Sequence, residues 1–320
     1  MKSQEKVTAF RNGEIKRNRG KGNMGMDACT LCPRMCGVNR AAGEKGYCGM
    51  DATIRAARAA LHMWEEPCIS GTQGSGAVFF SGCSLRCIFC QNFEIAEGNC
   101  AKEISGERLS EIFLELQEQG AANINLVTAA HYVPAVIESL KKAKAQGMDL
   151  PVIYNSSGYE RVETVQMLEE VVDVWLPDFK YMDSKLAFAY SRAKDYPEVA
   201  RAAIREMMKA AGTCAYDEDG YIQKGVIVRH LILPGHTKNS IAVLDELYGT
   251  YGDDLTISLM NQYTPLPQVR NIPDLNRRGT KREDEKVLDH ALDLGITQGF
   301  FQEGGTAKES FIPLFDYEGL

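Results

Sequence analysis

The chain has 320 residues, 44% hydrophobic and 25% charged, enough apolar material for a sizeable buried core and too little charge bias for a disordered chain. Its 36 basic and 43 acidic residues leave a formal charge of −7, which excludes a field that would gather nucleic acid or an anionic membrane over the whole surface. No run approaches the ~18 apolar residues that cross a bilayer, and the first residues lack an apolar signal region, so a soluble, cytoplasmic protein without membrane partners is expected. Ten cysteines are too few for a secreted disulfide scaffold, and seven of them fall in two tight clusters, the pattern of metal or redox chemistry in a reducing compartment.

In chain order, residues 1–25 hold seven basic residues against two acids with no apolar periodicity and read as a flexible, solvated basic arm. Residues 26–70 carry five cysteines and many small residues, and read as a cysteine-rich metal-binding region. From residue 71 to about 300, short apolar runs at 77–81, 124–128, 152–155, 171–176, 225–233 and 255–260 alternate with amphipathic stretches at 106–119, 134–146, 159–170, 197–211, 240–251 and 282–294. This is the rhythm of successive strand–helix units, whose strands pair in parallel. This rhythm of six strands and six helices leaves a flat doubly wound sheet and a barrel both open. The cysteine chemistry below favours an α/β fold of the partial (β/α)6 barrel kind, with working groups at the C-terminal strand ends and a tail over residues 301–320.

Directly after the first run stand Cys83, Cys87 and Cys90, in SGCSLRCIFCQN. Three thiolates on one loop can hold one face of a four-iron cubane, and the missing fourth protein ligand leaves one iron open to another molecule. Structural zinc takes four protein ligands, so this trio suits a closed zinc site poorly. The second set, Cys29, Cys32, Cys36 and Cys48, supplies four thiols among Gly37, Gly43, Gly46 and Gly49, and both zinc and a [4Fe-4S] cluster accept it. The trio has its own ligands on a separate strand end and is expected to work without the second set.

The C-x3-C-x2-C spacing, with Phe89 before its third cysteine, resembles the radical S-adenosylmethionine (SAM) superfamily over residues 70–262. Cys87-Ile88-Phe89-Cys90-Gln91-Asn92 is most similar to pyruvate formate-lyase activating enzymes and their uncharacterised relatives, whose N-terminal extension resembles the four-cysteine segment. The resemblance implies a [4Fe-4S] cluster at Cys83, Cys87 and Cys90 and SAM bound to its open iron. It also implies reductive cleavage of SAM to a 5′-deoxyadenosyl radical that abstracts hydrogen, with the cofactor supplying the hard chemistry and the protein supplying orientation. Contacts to SAM are implied for Phe89, Asn92, Asn155 and Ser156, and for Asp178 (ribose), Lys180 (SAM carboxylate) and Arg229. Further implications are an electron donor such as flavodoxin or ferredoxin, a second [4Fe-4S] cluster or zinc at the N-terminal thiols, and a protein or small-molecule substrate, with glycyl radical activation as the activating-type form. Where the family often has Gly-Gly-Glu, this chain has Thr128-Ala129-Ala130-His131.

Two other classes compete: a non-catalytic iron-sulfur electron carrier or cluster donor, against which the SAM-type strand ends argue, and a zinc-ribbon nucleic-acid module, against which the acidic balance argues. Cys68, Cys100 and Cys214 read as ordinary thiols. His131 is divided between substrate contact and a local hydrogen bond. Of the neighbours Arg229 and His230, one must point away from the barrel interior, while His62 and His290 read as exposed or locally satisfied.

Overall fold

The six apolar runs form the parallel core of a ten-stranded sheet in a computed structural model that describes residues 25–297, 299–301 and 313–320. The basic arm expected over residues 1–25 lies, apart from Gly25, outside the described residues, as do residues 302–312 of the expected tail. The strands are β1 (Arg55–His62), β2 (Ser75–Phe80), β3 (Lys102–Glu103), β4 (Ile124–Val127), β5 (Val152–Ser156), β6 (Val174–Pro177), β7 (Ala215–Tyr216), β8 (Ile222–Leu231), β9 (Thr256–Met260) and β10 (Gly299–Phe301). Their order is β10-β9-β8-β6-β5-β4-β2-β1-β3, with β7 on the side of β8. All pairings from β2 to β10 along this path are parallel, while β1 runs antiparallel to β2 and to β3. The two ends of the path do not pair, so the barrel is partial, as the cysteine chemistry favours.

The helices are α1 (Pro67–Ser70), α2 (Phe93–Ala96), α3 (Gly106–Glu118), α4 (Val133–Ala145), α5 (Val162–Leu168), α6 (Ser184–Ser191), α7 (Tyr196–Ala211), α8 (Thr237–Tyr251) and α9 (Lys281–Asp293). Leu109, Ile112, Phe113 and Leu116 on α3, and Val136, Leu140 and Ala143 on α4, recur three or four residues apart and bury one stripe of each helix against the sheet. Ser105 caps α3, and Thr280 with Glu283 closes a capping box on α9.

Alternation along the strands sets up the two faces of the sheet. Tyr154 and Trp175 join the core beneath the helices, whereas Ile153, Val174, Leu176 and Ile227 turn to the interior and cluster there with Cys68 and Ile69 of α1. Two residues further along those same strands, the inward positions change from apolar to polar: Ile153 gives way to Asn155, Leu176 to Asp178, and Ile227 to Arg229. An apolar layer therefore floors a polar one at the C-terminal strand ends.

Residues 25–54 contain neither helix nor strand and lie against this end of the barrel. Residues 313–320 run beside β1, where the amide of Tyr317 donates to Ala57 O at 3.0 Å and that of Ala59 to Glu318 O at 2.9 Å.

Candidate active site

The polar strand ends enclose a cavity of ≈ 260 Å³. Cys83, Cys87, Phe89, Cys90 and Asn92 line it from the loop after β2, Asn155 and Ser156 from β5, Asp178 and Lys180 from the end of β6, and Arg229 from β8. Ten residues singled out from the sequence thus share one cavity, drawn from positions as distant as 83 and 229. Its apolar wall includes Phe89, which meets Tyr181, Tyr190 and Tyr263 edge to face at 6.3 to 6.4 Å between ring centres.

Charges inside the cavity are paired. Lys180 Nζ donates to Asp178 Oδ2 at 2.5 Å. Burial alone would lower the lysine's pKa, but the Asp178 carboxylate and the nearby Cys87 sulfur outweigh it and hold the ammonium above the ordinary lysine range. Arg229 grips Glu66 with both ends of its guanidinium, Nε to Oε1 at 2.8 Å and Nη2 to Oε2 at 2.5 Å, and also pairs with Glu65. Burial would raise the Glu66 carboxyl, yet the Arg229 charge overrides it and keeps the pKa below the usual value.

Glu65 and Glu66 carry no motif and were not anticipated. Glu65 Oε1 accepts from Asn125 Nδ2 at 3.0 Å and from Asn155 Nδ2 at 3.3 Å. With its amide nitrogen committed in this way, Asn155 has its oxygen left as the acceptor it can offer elsewhere.

The three cavity thiols have the chemistry of cluster ligands. Burial pushes Cys87 up to about 11 and Cys90 up to about 12, so a thiolate forms there only when a cation offsets the lost solvation. Among the described residues, no three His, Cys, Asp or Glu side chains stand close enough together to hold a single metal ion. A cubane is several atoms wide and asks its thiolates to stand further apart, and the three thiols facing one cavity beside Asp178 and Lys180 fit a cluster with an open iron and an amino-acid ligand.

The N-terminal cysteines lie elsewhere. Cys29, Cys32 and Cys48 are buried and Cys36 is exposed. Burial pushes Cys32 up to about 12, with Cys48 and Cys29 near enough to add to the rise, and Cys48 is raised in the same way with Cys29 and Cys36 beside it. These cysteines are thus close enough to influence one another's charge.

This segment is clamped to the loop that follows β2. Arg34, two residues after Cys32, donates from Nε to Ser84 O at 2.8 Å, from Nη2 to Ser191 O at 2.9 Å and from Nη1 to Arg192 O at 2.5 Å, while stacking on Tyr47 at 4.0 Å. A Cβ on Gly82, at φ +91°, would fall 2.9 Å from Cys48 O and 2.4 Å from Met50 Cγ, so only glycine lets the two cysteine loops approach this closely. The two cysteine segments are thus packed against each other through Arg34 and Gly82.

The histidines sort by geometry. His131 is 2% exposed and its Nε2 meets Ser81 O at 2.7 Å, the local bond rather than a cavity contact, and burial lowers its pKa to about 3. His230 turns away from the interior, with Nδ1 2.6 Å from Phe179 O and Nε2 2.9 Å from Ser240 Oγ, which leaves Arg229 as the inward neighbour. His62, expected to be exposed or locally satisfied, lines the cavity instead and sits edge-on to Phe79 at 5.8 Å. Thr128 lines the cavity in the left-handed region at φ +62°. Cys68 belongs to the apolar floor.

No family model matches the chain. An uncharacterised protein of Methanocaldococcus jannaschii is 29% identical over 270 residues, 82% of this chain and 74% of that protein. Among solved structures, HydG, a maturase of the [FeFe]-hydrogenase, superposes with a TM-score of 0.50 at 14% identity, covering 72% of this chain and 52% of HydG. Methylornithine synthase gives 0.50 at 13% identity, over 73% of this chain and 66% of its own. SuiB of Streptococcus suis gives 0.46 at 12% identity over 70% of this chain, which spans about half of SuiB's length, 47%. The fold is thus a partial α/β barrel similar to those of HydG and methylornithine synthase.

Proposed function

We propose that the protein is a radical SAM enzyme that holds a [4Fe-4S] cluster at Cys83, Cys87 and Cys90 and binds SAM beside it. The reading rests above all on one observation: the three thiols of the C-x3-C-x2-C loop share a cavity with Asn155, Ser156, Asp178 and Lys180 at the C-terminal strand ends. When bound and reduced by one electron from a donor of the flavodoxin or ferredoxin type, the cluster supplies reductive cleavage of SAM to a 5′-deoxyadenosyl radical.

The chain's own groups bind and orient. The Asp178 carboxylate suits a ribose hydroxyl, the Lys180 ammonium a carboxylate, and the Asn155 amide oxygen a donor on the ligand. The aromatic wall around Phe89 shields the site from water. The substrate we infer is a carbon–hydrogen bond of a protein or small molecule, with glycyl radical activation as the activating-type form.

Protein reconstituted with iron and sulfide without oxygen, then reduced with dithionite in the presence of SAM, should yield 5′-deoxyadenosine and methionine. A reconstituted, reduced protein that leaves SAM intact overturns the reading and favours an electron carrier or cluster donor.

Glu65 gives a second check, because it holds both Asn155 and Arg229. Glu65→Ala should weaken SAM binding about tenfold, the worth of one modest interaction of ~1.4 kcal/mol, without loss of iron. Equilibrium dialysis of SAM against reconstituted protein measures it, and unchanged affinity would remove Glu65 from the binding machinery.

A further inference from the structure

The cavity thiols differ in what surrounds them. Cys87 Sγ accepts a hydrogen bond from Ser191 Oγ at 3.0 Å, from the last residue of α6, on an element remote in sequence from the cysteine loop. Ser191 Oγ lies in turn 2.7 Å from the hydroxyl of Tyr181. Both residues are fully buried, at 0% exposure, so the chain of two hydroxyls ends on sulfur without competition from water.

Its geometry is fixed from two sides. Tyr181 is held edge to face against Phe89 and Tyr196, at 6.4 and 5.2 Å. The Ser191 backbone is held by Arg34 of the N-terminal cysteine segment, whose guanidinium binds the carbonyls of Ser191 and Arg192 where the chain turns out of α6 with φ +53° at Arg192.

An O–H dipole aimed at a thiolate favours whichever state of the attached group carries more negative charge. Uptake of one electron, from a donor such as dithionite and with no proton transferred, makes the cluster and its thiolates one unit more negative. A hydrogen bond to Cys87 therefore favours the reduced form.

We propose that Ser191, oriented by Tyr181, is a positioning residue that raises the reduction potential of the cluster at Cys83, Cys87 and Cys90 through its hydrogen bond to Cys87 Sγ. The inference rests on the radical SAM reading above. It also gives the N-terminal segment a route of influence on the site, since Arg34 fixes the backbone that carries this hydroxyl.

The test is a redox titration followed by electron paramagnetic resonance on the full-length reconstituted protein, comparing wild type with Ser191→Ala and Tyr181→Phe. Neither substitution touches the Ser191 carbonyl that Arg34 binds, and phenylalanine keeps the ring that packs on Phe89. In Ser191→Ala, with iron content equal to wild type, the reduced-to-oxidised ratio at a fixed potential should fall about tenfold, a shift of ~59 mV to lower potential for a one-electron couple. Tyr181→Phe should shift in the same direction by less, because Ser191 keeps its hydroxyl but loses the partner that orients it. An equal or higher potential in Ser191→Ala, with iron retained, overturns the inference and leaves the radical SAM reading intact. Wild-type protein that forms no four-iron signal at all overturns that reading itself.

Discussion

Alanine at any one of Cys83, Cys87 or Cys90 should abolish SAM cleavage and cost the protein roughly four irons, the content of one cubane. The effect is expected to be total because the cavity offers no substitute thiol. Among the described residues, these three are the cysteines that line it, while Cys68 lies in the apolar floor and Cys100 packs on a separate cluster around Phe79. With two thiolates the cubane loses both an anchor and the distinction between its one open iron and the three held ones. Cys100→Ala and Cys214→Ala serve as matched controls and should keep full iron content and activity. Iron analysis, the visible charge-transfer absorption and chromatographic assay of 5′-deoxyadenosine measure the outcome together. Full cleavage in any one of the three variants would remove the radical SAM reading, whatever the fold.

The sequence displays this site because strand-end geometry converts linear spacing into spatial convergence. Each parallel strand delivers its inward residues to the same end of the barrel, so a cysteine loop after β2 and polar residues at the ends of β5, β6 and β8 must meet. The six apolar runs were legible for the same reason: strands buried on both faces read as continuous hydrophobic stretches.

What stayed hidden lacks such a signature. In β1, Arg-Ala-Ala-Arg-Ala-Ala-Leu-His has neither β-branched residues nor two-residue alternation. Pairing with β2 makes it a strand, and besides the local Asp51 partner of Arg55, Arg55 and Arg58 find carboxylates at Glu103 and Asp316 that only the fold brings near. Glu65 and Glu66 follow β1 and were lost with it. Ser191 and Arg34 act through contacts between residues 104 and 157 positions apart in sequence, where spacing carries no information. Helix α6, of eight residues, has no counterpart among the amphipathic stretches read from the sequence.

Replacing Cys29, Cys32, Cys36 and Cys48 together by alanine should remove one metal site and also weaken SAM cleavage, an outcome that follows from the packing rather than from the sequence. Residues 25–54 form neither helix nor strand, and we propose that metal binding at the four thiols adds to the packing that orders them. When that order is lost, Arg34 releases Ser84 O in the cysteine loop together with the carbonyls of Ser191 and Arg192, and the Cys48 backbone no longer rests on Gly82. A displacement of about 1 Å at reacting groups can cost about a hundredfold in rate, so cleavage should fall by a factor between about ten and a hundred while the irons held at Cys83, Cys87 and Cys90 remain. Arg34→Ala separates the two causes: it should keep the N-terminal metal yet reproduce much of the loss. Metal analysis of anaerobically prepared wild type identifies the group, with roughly eight irons for two [4Fe-4S] clusters and roughly four irons with one zinc for a structural zinc. If the quadruple variant cleaves SAM at the wild-type rate, the N-terminal segment is an independent unit and the clamp through Arg34 carries no function. If wild type holds neither extra iron nor zinc, the four thiols are not a metal site at all.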